Sequence, residues 1–301
     1  MRFRKLKSSF TAAGVVLAGA ILPACAQPAK SNDADPALWV VKDADTTIYL
    51  FGTVHVLKPG LTWFDEAVRA AFDKSDTVVL ELVTPPAEQM QALVAAKGTI
   101  PATAPSLSSQ IPPDKLPAYQ KALAGVGVPA AAFDRMKPWF AAVNLSILPL
   151  MKMGYDPAQG PEQVITAAAK AANKPVIGLE TAEQQLGYFD SLSPKAQVTF
   201  LTSTVDELPK LDESMRDMVA DWARGDPDAL AALLNDSLKE SPEVARTLLY
   251  DRNARWANWI DARMKQPGTV FIAVGAGHLA GGQSVIAKLA GHKLKATRIP
   301  Y

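Results

Sequence analysis

Four short apolar runs in this chain each close on a side chain that can carry a charge or a proton. IYLFGTV runs into His55, TVVLE ends at Glu81, PVIGLE ends at Glu180, and VFIAVGAG runs into His278. Runs of this length, rich in valine and isoleucine and bounded by turn residues, read as buried strands. The sequence between them has helical periodicity. WFDEAVRAAFDKSD is an amphipathic helix, FAAVNLSILPLMKMGYD a largely apolar core helix, and residues 86–172 and 193–264 are mostly helical with Pro-rich breaks. Strands near both ends with helices between them specify an α/β fold: a central, mostly parallel or mixed sheet with a large helical insertion. LWVV and TTIYLFGTVHV, joined by KDAD, read as a hairpin, and KLKATRIP as a closing strand.

In open α/β sheets, ligands collect beyond the carboxyl ends of the strands. If the four strands share a sheet and a direction, two imidazoles and two carboxylates converge there. The chain has only three histidines, and two of them stand in Gly-x-x-His frames, Gly52 to His55 and Gly275 to His278. Imidazole and carboxylate together suit a divalent metal with room for water, so His55, His278, Glu81 and Glu180 are the candidate ligands. A bound water would be acidified and could attack a carbonyl. Gly52, Gly275 and Gly277 permit a sharp turn and close approach of backbone to ligand. The structural alternatives are a packed histidine and a carboxylate that caps the next helix, a role Thr181 could also fill beside Glu180. His292 reads as a surface residue.

The stripe Leu249, Arg252, Trp256, Trp259 and Ile260 has helical spacing and puts a guanidinium among aromatics. Such an Arg252 needs an anion, either a core carboxylate or a substrate oxygen whose developing charge it would stabilise.

Several function classes are excluded. GAGHLAG has the wrong glycine spacing for a dinucleotide fingerprint, and no Asp or Glu follows it in the chain. There is no Gly-x-Ser-x-Gly elbow, His-Glu-x-x-His helix or Walker loop. Arg2, Arg4, Lys5 and Lys7 are the only charged residues among the first 25, and without them 27 bases face 30 acids, a balance that excludes nucleic acid as the main partner.

MRFRKLK, FTAAGVVLAGAIL and PACAQ are basic, apolar and small in that order, the layout of an export signal. Ala24-Cys25-Ala26 fits cleavage after residue 26, whereas Leu22-Pro23-Ala24-Cys25 resembles a lipobox, with a leader of residues 1–24 and a lipidated Cys25. Either reading places the mature chain in the periplasm, soluble or lipid-anchored. Residues 27–37 read as a polar tether and 38–301 as one domain. Cys25 is the only cysteine, so no intrachain disulfide is available.

The stretches FGTVHVLKPG, VVLELV, KPWFAAVNLSILPLMKMGYDPAQG, NKPVIGLETAEQQL, DRNARWANWI and VGAGHLAG resemble, in this order, the TraB/PrgY/GumN family, which is related to the TIKI proteases and more distantly to the erythromycin esterases. The resemblance implies a metal-dependent hydrolase of a peptide or ester, using manganese, cobalt or zinc. His55 and His278 then match the motif histidines, Glu81 the acid after the next strand, Arg252 the arginine of the Arg-Asn pair, and Glu180 the Leu-Glu-Thr element. It equally permits a peptide-binding or polysaccharide-export accessory protein without turnover, or a metal-free His/Glu esterase.

Overall fold

The computed structural model describes residues 32–239 and 241–301. The leader, its cleavage or lipidation site at Cys25 and residues 27–31 of the tether lie outside the described residues. Six strands form one sheet: β1 (Leu38–Lys42), β2 (Thr46–Thr53), β3 (Thr77–Leu82), β4 (Val176–Glu180), β5 (Gly268–Gly275) and β6 (Thr297–Arg298). Their spatial order is β4-β3-β5-β2-β1-β6. The first four of these run parallel, and β1 and β6 add an antiparallel edge. The sheet is therefore mixed, and the hairpin turn falls at Asp43 to Asp45, as the sequence indicates. The closing strand is only two residues long.

Helix α1 (Glu66–Lys74) joins β2 to β3. Between β3 and β4 come α2 (Ala87–Gly98), α3 (Leu107–Gln110), α4 (Leu116–Val126), α5 (Ala130–Phe133), α6 (Pro138–Lys152) and α7 (Pro161–Ala171). Between β4 and β5 come α8 (Ala182–Asp190), α9 (Pro194–Glu207), α10 (Leu211–Ala223), α11 (Pro227–Lys239), α12 (Pro242–Ala245) and α13 (Asp251–Arg263). The short α14 (Val285–Leu289) separates β5 from β6.

Alternation along the central strands divides the core into two layers. Phe51, Val78, Leu80, Phe271 and Ala273 face one side, where α1, α7 and α10 cover them with Phe72, Ile165 and Trp222. Ile48, Leu50, Val79, Ile272 and Val274 face the other, against Trp256 and Ile260 of α13 and Val285 of α14. The insertion has a core of its own, built from Tyr119, Leu123, Ala141, Leu145 and Leu201. Helix α6 is not buried all round; Ile147 is 40% and Met151 53% exposed.

Order begins before Leu38. Ala34 is buried, its N–H donates to the Thr62 carbonyl at 2.8 Å, and Tyr301 Oη donates to the Pro36 carbonyl at 2.7 Å. Small residues such as Ala34 and Ala37 read as spacer by composition, yet they fit a seam between the sheet edge and the end of α10.

Trp222 ties the helical layer to the first Gly-x-x-His frame. Its indole Nε1 donates to the Gly52 carbonyl at 2.7 Å, beside Phe51 and Trp63. Trp222→Phe keeps most of the ring and leaves that buried carbonyl without its donor. A loss of about 1–3 kcal/mol is expected from the denaturant midpoint, with the slope of the transition unchanged.

Candidate functional site

The parallel strands β2, β5, β3 and β4 deliver His55, His278, Glu81 and Glu180 to one edge of the sheet. The two Gly-x-x-His frames lie side by side, with Thr53 opposite Gly275 in the β2–β5 ladder. A short 3-10 turn, Ala276–His278, containing Gly277, carries His278 round the end of β5. Neither Gly52 nor Gly275 needs a left-handed backbone. What both need is space: a Cβ on Gly52 would lie 3.1 Å from Ala276, and one on Gly275 would lie 3.1 Å from Glu81 Oε1, 3.5 Å from His55 Nε2 and 3.6 Å from His278 Cδ2. Gly275 is thus the bare floor on which three of the four groups meet.

Arg252 occupies the centre of the cluster. Its Nε donates to both oxygens of Glu180 at 3.0 Å, and its Nη2 to Glu81 Oε2 at 2.6 Å and Glu180 Oε2 at 2.8 Å. Nη1 donates to the Leu248 carbonyl and to His278 Nε2, both at 3.1 Å. The guanidinium also lies over the Trp256 ring, 4.7 Å from its centroid. Trp256 Nε1 donates to Glu180 Oε1, the Gly275 N–H donates to Glu81 Oε1, and the Gln185 amide donates to both acids. Just before α13 the chain makes a π turn over Arg246–Tyr250, a deformation often found at functional sites, and Leu248 lies within it. The anion that the sequence demanded for Arg252 is therefore a pair of core carboxylates, and all three of its nitrogens are engaged by protein acceptors.

This network fixes the histidine protons. A guanidinium only donates, so His278 Nε2 accepts and the proton sits on Nδ1, which donates to Asn253 Oδ1 at 2.6 Å. The Asn253 amide in turn donates to the Gln283 carbonyl. Burial, joined by the positive charge of Arg252, pushes His278 down to about 3, so it is neutral near pH 7. Burial opposes ionisation of Glu81, but the positive charge around it and the Gly275 N–H win and hold it at about 2. With His278 neutral, Arg252 is the permanent source of that charge.

His55 differs. Its Nδ1 meets Glu162 Oε1 at 2.7 Å, and the Thr53 hydroxyl donates to the same oxygen at 2.6 Å. Nε2 has no protein partner among the described residues, and 70% of the side chain is open to solvent. Desolvation by the crevice walls works against a charge on the ring, but the hydrogen bond and charge of Glu162, with the charge of Glu81, raise it to about 9. Water at the open face screens part of that attraction. Glu162 reaches this position because Gly160, ahead of α7, lies against the His55 carbonyl oxygen, where a Cβ would collide.

The donor set does not fit a divalent ion shared by His55, His278, Glu81 and Glu180. Both ring nitrogens of His278 are engaged and a guanidinium already stands between the carboxylates, so such an ion would have to displace Arg252. Among the described residues, no three His, Cys, Asp or Glu side chains form a metal-holding group. Thr181 does cap α8, in a capping box with Gln184, which leaves Glu180 free for Arg252. His292 is a half-buried residue 3.9 Å from Asp261, away from the cluster. Sequence reasoning did not single out Glu162, Asn253, Thr53 or Gln185. Asn253 follows Arg252 directly in the Arg-Asn pair, whereas Glu162 reads as an ordinary acid in a helix's first turn.

Residues 37–298 match the TraB/PrgY/gumN family. The chain belongs to this family. Its relatives include Uncharacterized protein YbaP of Escherichia coli (strain K12), 24% identical over 82% of this chain and 89% of that protein. YbaP of Shigella flexneri matches at the same identity and coverage. An uncharacterized protein of Treponema pallidum (strain Nichols) is 21% identical over 86% of this chain and 82% of its own length. No solved structure matches. Family membership agrees with the resemblance in the sequence.

These ionisations shape stability against pH. His55 is raised in the folded state, so its contribution is complete below the ordinary imidazole value of 6.5 and is lost as pH rises through about 9. Glu81 and His278 are depressed. The contribution of Glu81 is present above 4.5 and lost as pH falls through about 2; below 6.5 the unfolded chain protonates His278 while the folded chain resists down to about 3, which lowers stability. Thermal melts across pH should therefore peak near 6.5 and fall on both sides. Glu162→Gln should flatten the alkaline limb and leave the acid limb in place.

Proposed function

We propose that this TraB/PrgY/gumN-family chain is a hydrolase of ester or amide bonds in which the pair His55 and Glu162 moves the proton of the attacking water. One observation carries this reading: of the four groups at the strand ends, only His55 keeps a polar atom, Nε2, without a protein partner among the described residues, on a side chain 70% open to solvent, while its other nitrogen is held by a carboxylate. That geometry is the base-and-orienter arrangement of general base catalysis.

In the proposed reaction, neutral His55 takes a proton from water at Nε2 as the water oxygen bonds to the substrate carbonyl carbon. The carbonyl electron pair moves onto its oxygen. When that pair returns, the bond to the leaving group breaks, and the leaving group takes the proton back from Nε2. Glu162 holds the Nδ1 proton and stabilises the imidazolium. Arg252, Glu81, Glu180 and His278 form the fixed charged floor. Arg252 acts through its charge and by positioning the acids, since its N–H groups are already engaged. Glu81 is held too acidic and too fully bonded to serve as the base. This is the metal-free form of the expectation; a manganese, cobalt or zinc ion would require Arg252 to move.

The test uses hydrolysis of p-nitrophenyl acetate and of a fluorogenic peptide by chelator-dialysed protein, with and without those three ions. The expected profile rises with pH toward about 9, as His55 loses its proton. His55→Gln should cost about 10²–10⁴-fold in kcat, and Glu162→Gln should shift the rise toward 6.5, the ordinary imidazole value. Arg252→Lys keeps the charge and loses the planar fork, so it should lower activity per folded molecule as well as thermal stability. Activity that vanishes on chelation and returns with one ion would replace this mechanism with the metal-centred one. Peptide binding without turnover would mark an accessory binding module.

We also propose that the protein is exported, on the basic, apolar and small order of its first 26 residues. The two processing routes differ in fractionation: lipidation at Cys25 puts the protein in membranes, and cleavage after Ala26 puts it in the soluble periplasm. If Cys25→Ser fractionates with membranes as the parent does, lipidation is ruled out. Parent protein retained in the cytosol with its leader intact would sink the export reading.

A further inference from the structure

Strand β4 closes one side of the sheet. Its inner edge pairs with β3 from Val176 to Glu180, and no described residue pairs with its outer edge. Exposed sheet edges are usually blunted by a charge, a proline or a bulge. The run Val-Ile-Gly-Leu carries none of these before it reaches Glu180. Two of the few exposed large apolar residues stand here, Ile177 at 42% and Val83, just past β3, at 49%. At the carboxyl end of the edge opens a cavity of about 440 Å³, walled by Val83, Pro85, Gln89 and Leu93 on one side and by the chain from Gly178 to Gln184 on the other. Glu180 belongs both to this wall and to the Arg252 cluster.

We propose that the outer edge of β4 and this cavity bind an extended stretch of another polypeptide, which adds to the sheet as a further strand and seats one side chain in the cavity. Backbone N–H and C=O groups at strand spacing are matched by another extended backbone, and a small ester has no such repeat. The cavity has the size of a side-chain or small-ligand pocket. A second copy of this chain is a poorer occupant. Two-fold pairing centred on Gly178 would bring its Pro175, which has no N–H, opposite Thr181, ending the ladder where the cavity begins. Four inter-strand steps, about 19 Å, separate the added strand from the strand bearing His55. A bound chain would therefore reach His55 about six residues further on, after bending over the carboxyl edge. This deepens the hydrolase reading by making the substrate a polypeptide, and it rests on that reading only for cleavage.

The test measures binding of fluorescein-labelled unfolded casein to the His55→Gln protein by anisotropy. Ile177→Lys puts a charge on the open edge, and Leu93→Trp fills the cavity. Each should weaken binding at least tenfold, with circular dichroism and Tm unchanged. In protein that retains His55, the same two substitutions should leave p-nitrophenyl acetate hydrolysis at the parent rate. Casein that fails to bind, or binds the Ile177→Lys protein as it does the parent, overturns the proposal. So does Ile177→Lys turning a dimer into a monomer with casein binding unaffected, which would make a second copy the occupant. If the parent hydrolyses nothing while casein binding depends on Ile177, the hydrolase reading falls and the strand site stands.

Discussion

The contact between Arg252 and the two strand-end acids is the constraint on which the rest of the site depends. Glu81 and Glu180 are each nearly buried, and two ionised carboxylates side by side in a low-dielectric crevice would repel and desolvate at a cost of several kcal/mol. One planar guanidinium meets both and also contacts the imidazole of His278. Removing it would leave two uncompensated charges, so the ends of β3 and β4, the π turn and the first residues of α13 are locked into one arrangement. The aromatic face of Trp256 and the amide of Gln185 complete the shell around it.

That arrangement divides labour between two histidines whose sequence frames look alike. His278 is buried, neutral and used at both nitrogens, so it is a structural member of the cluster. His55 is open on one face, held by Glu162, whose carboxylate also accepts from Thr53, and carries the only unengaged ring nitrogen of the pair. The difference comes from their neighbours. The chain after β5 makes a tight 3-10 turn under α13, whereas the chain after β2 runs out beneath the start of α7. Equivalent motifs thus end in opposite electrostatic environments, one pushing the imidazole pKa down and the other raising it.

Much of the fold was legible in the sequence because strand burial and helical periodicity are local patterns. The hairpin, β3, β5 and the helical insertion follow from them, as does the convergence of His55, Glu81, Glu180 and His278, since parallel strands joined by helices must send their carboxyl ends the same way. Weaker points lay where local pattern and packing part company. Residues 32–37 are polar and breaker-rich but sit in a seam against Thr62 and α10. The apolar helix α6 shows one face to solvent. KLKATRIP contributes only a two-residue strand. Glu162 could not be found from its own neighbourhood, because its partner is more than a hundred residues away and is set by the close approach of Gly160.

By itself the sequence determined the fold class, the family, the four polar strand ends and the need of Arg252 for an anion, because each rests on short-range spacing or on a charge that cannot be left unpaired. Only the tertiary structure decided which anion that is. It put Glu81 and Glu180 on either side of the guanidinium, gave His278 to Arg252 and Asn253, and left His55 to Glu162. The physical reason is that hydrogen-bond partners across a sheet edge depend on strand order and on how closely backbones approach at Gly160 and Gly275, and strand order is a property of the whole chain.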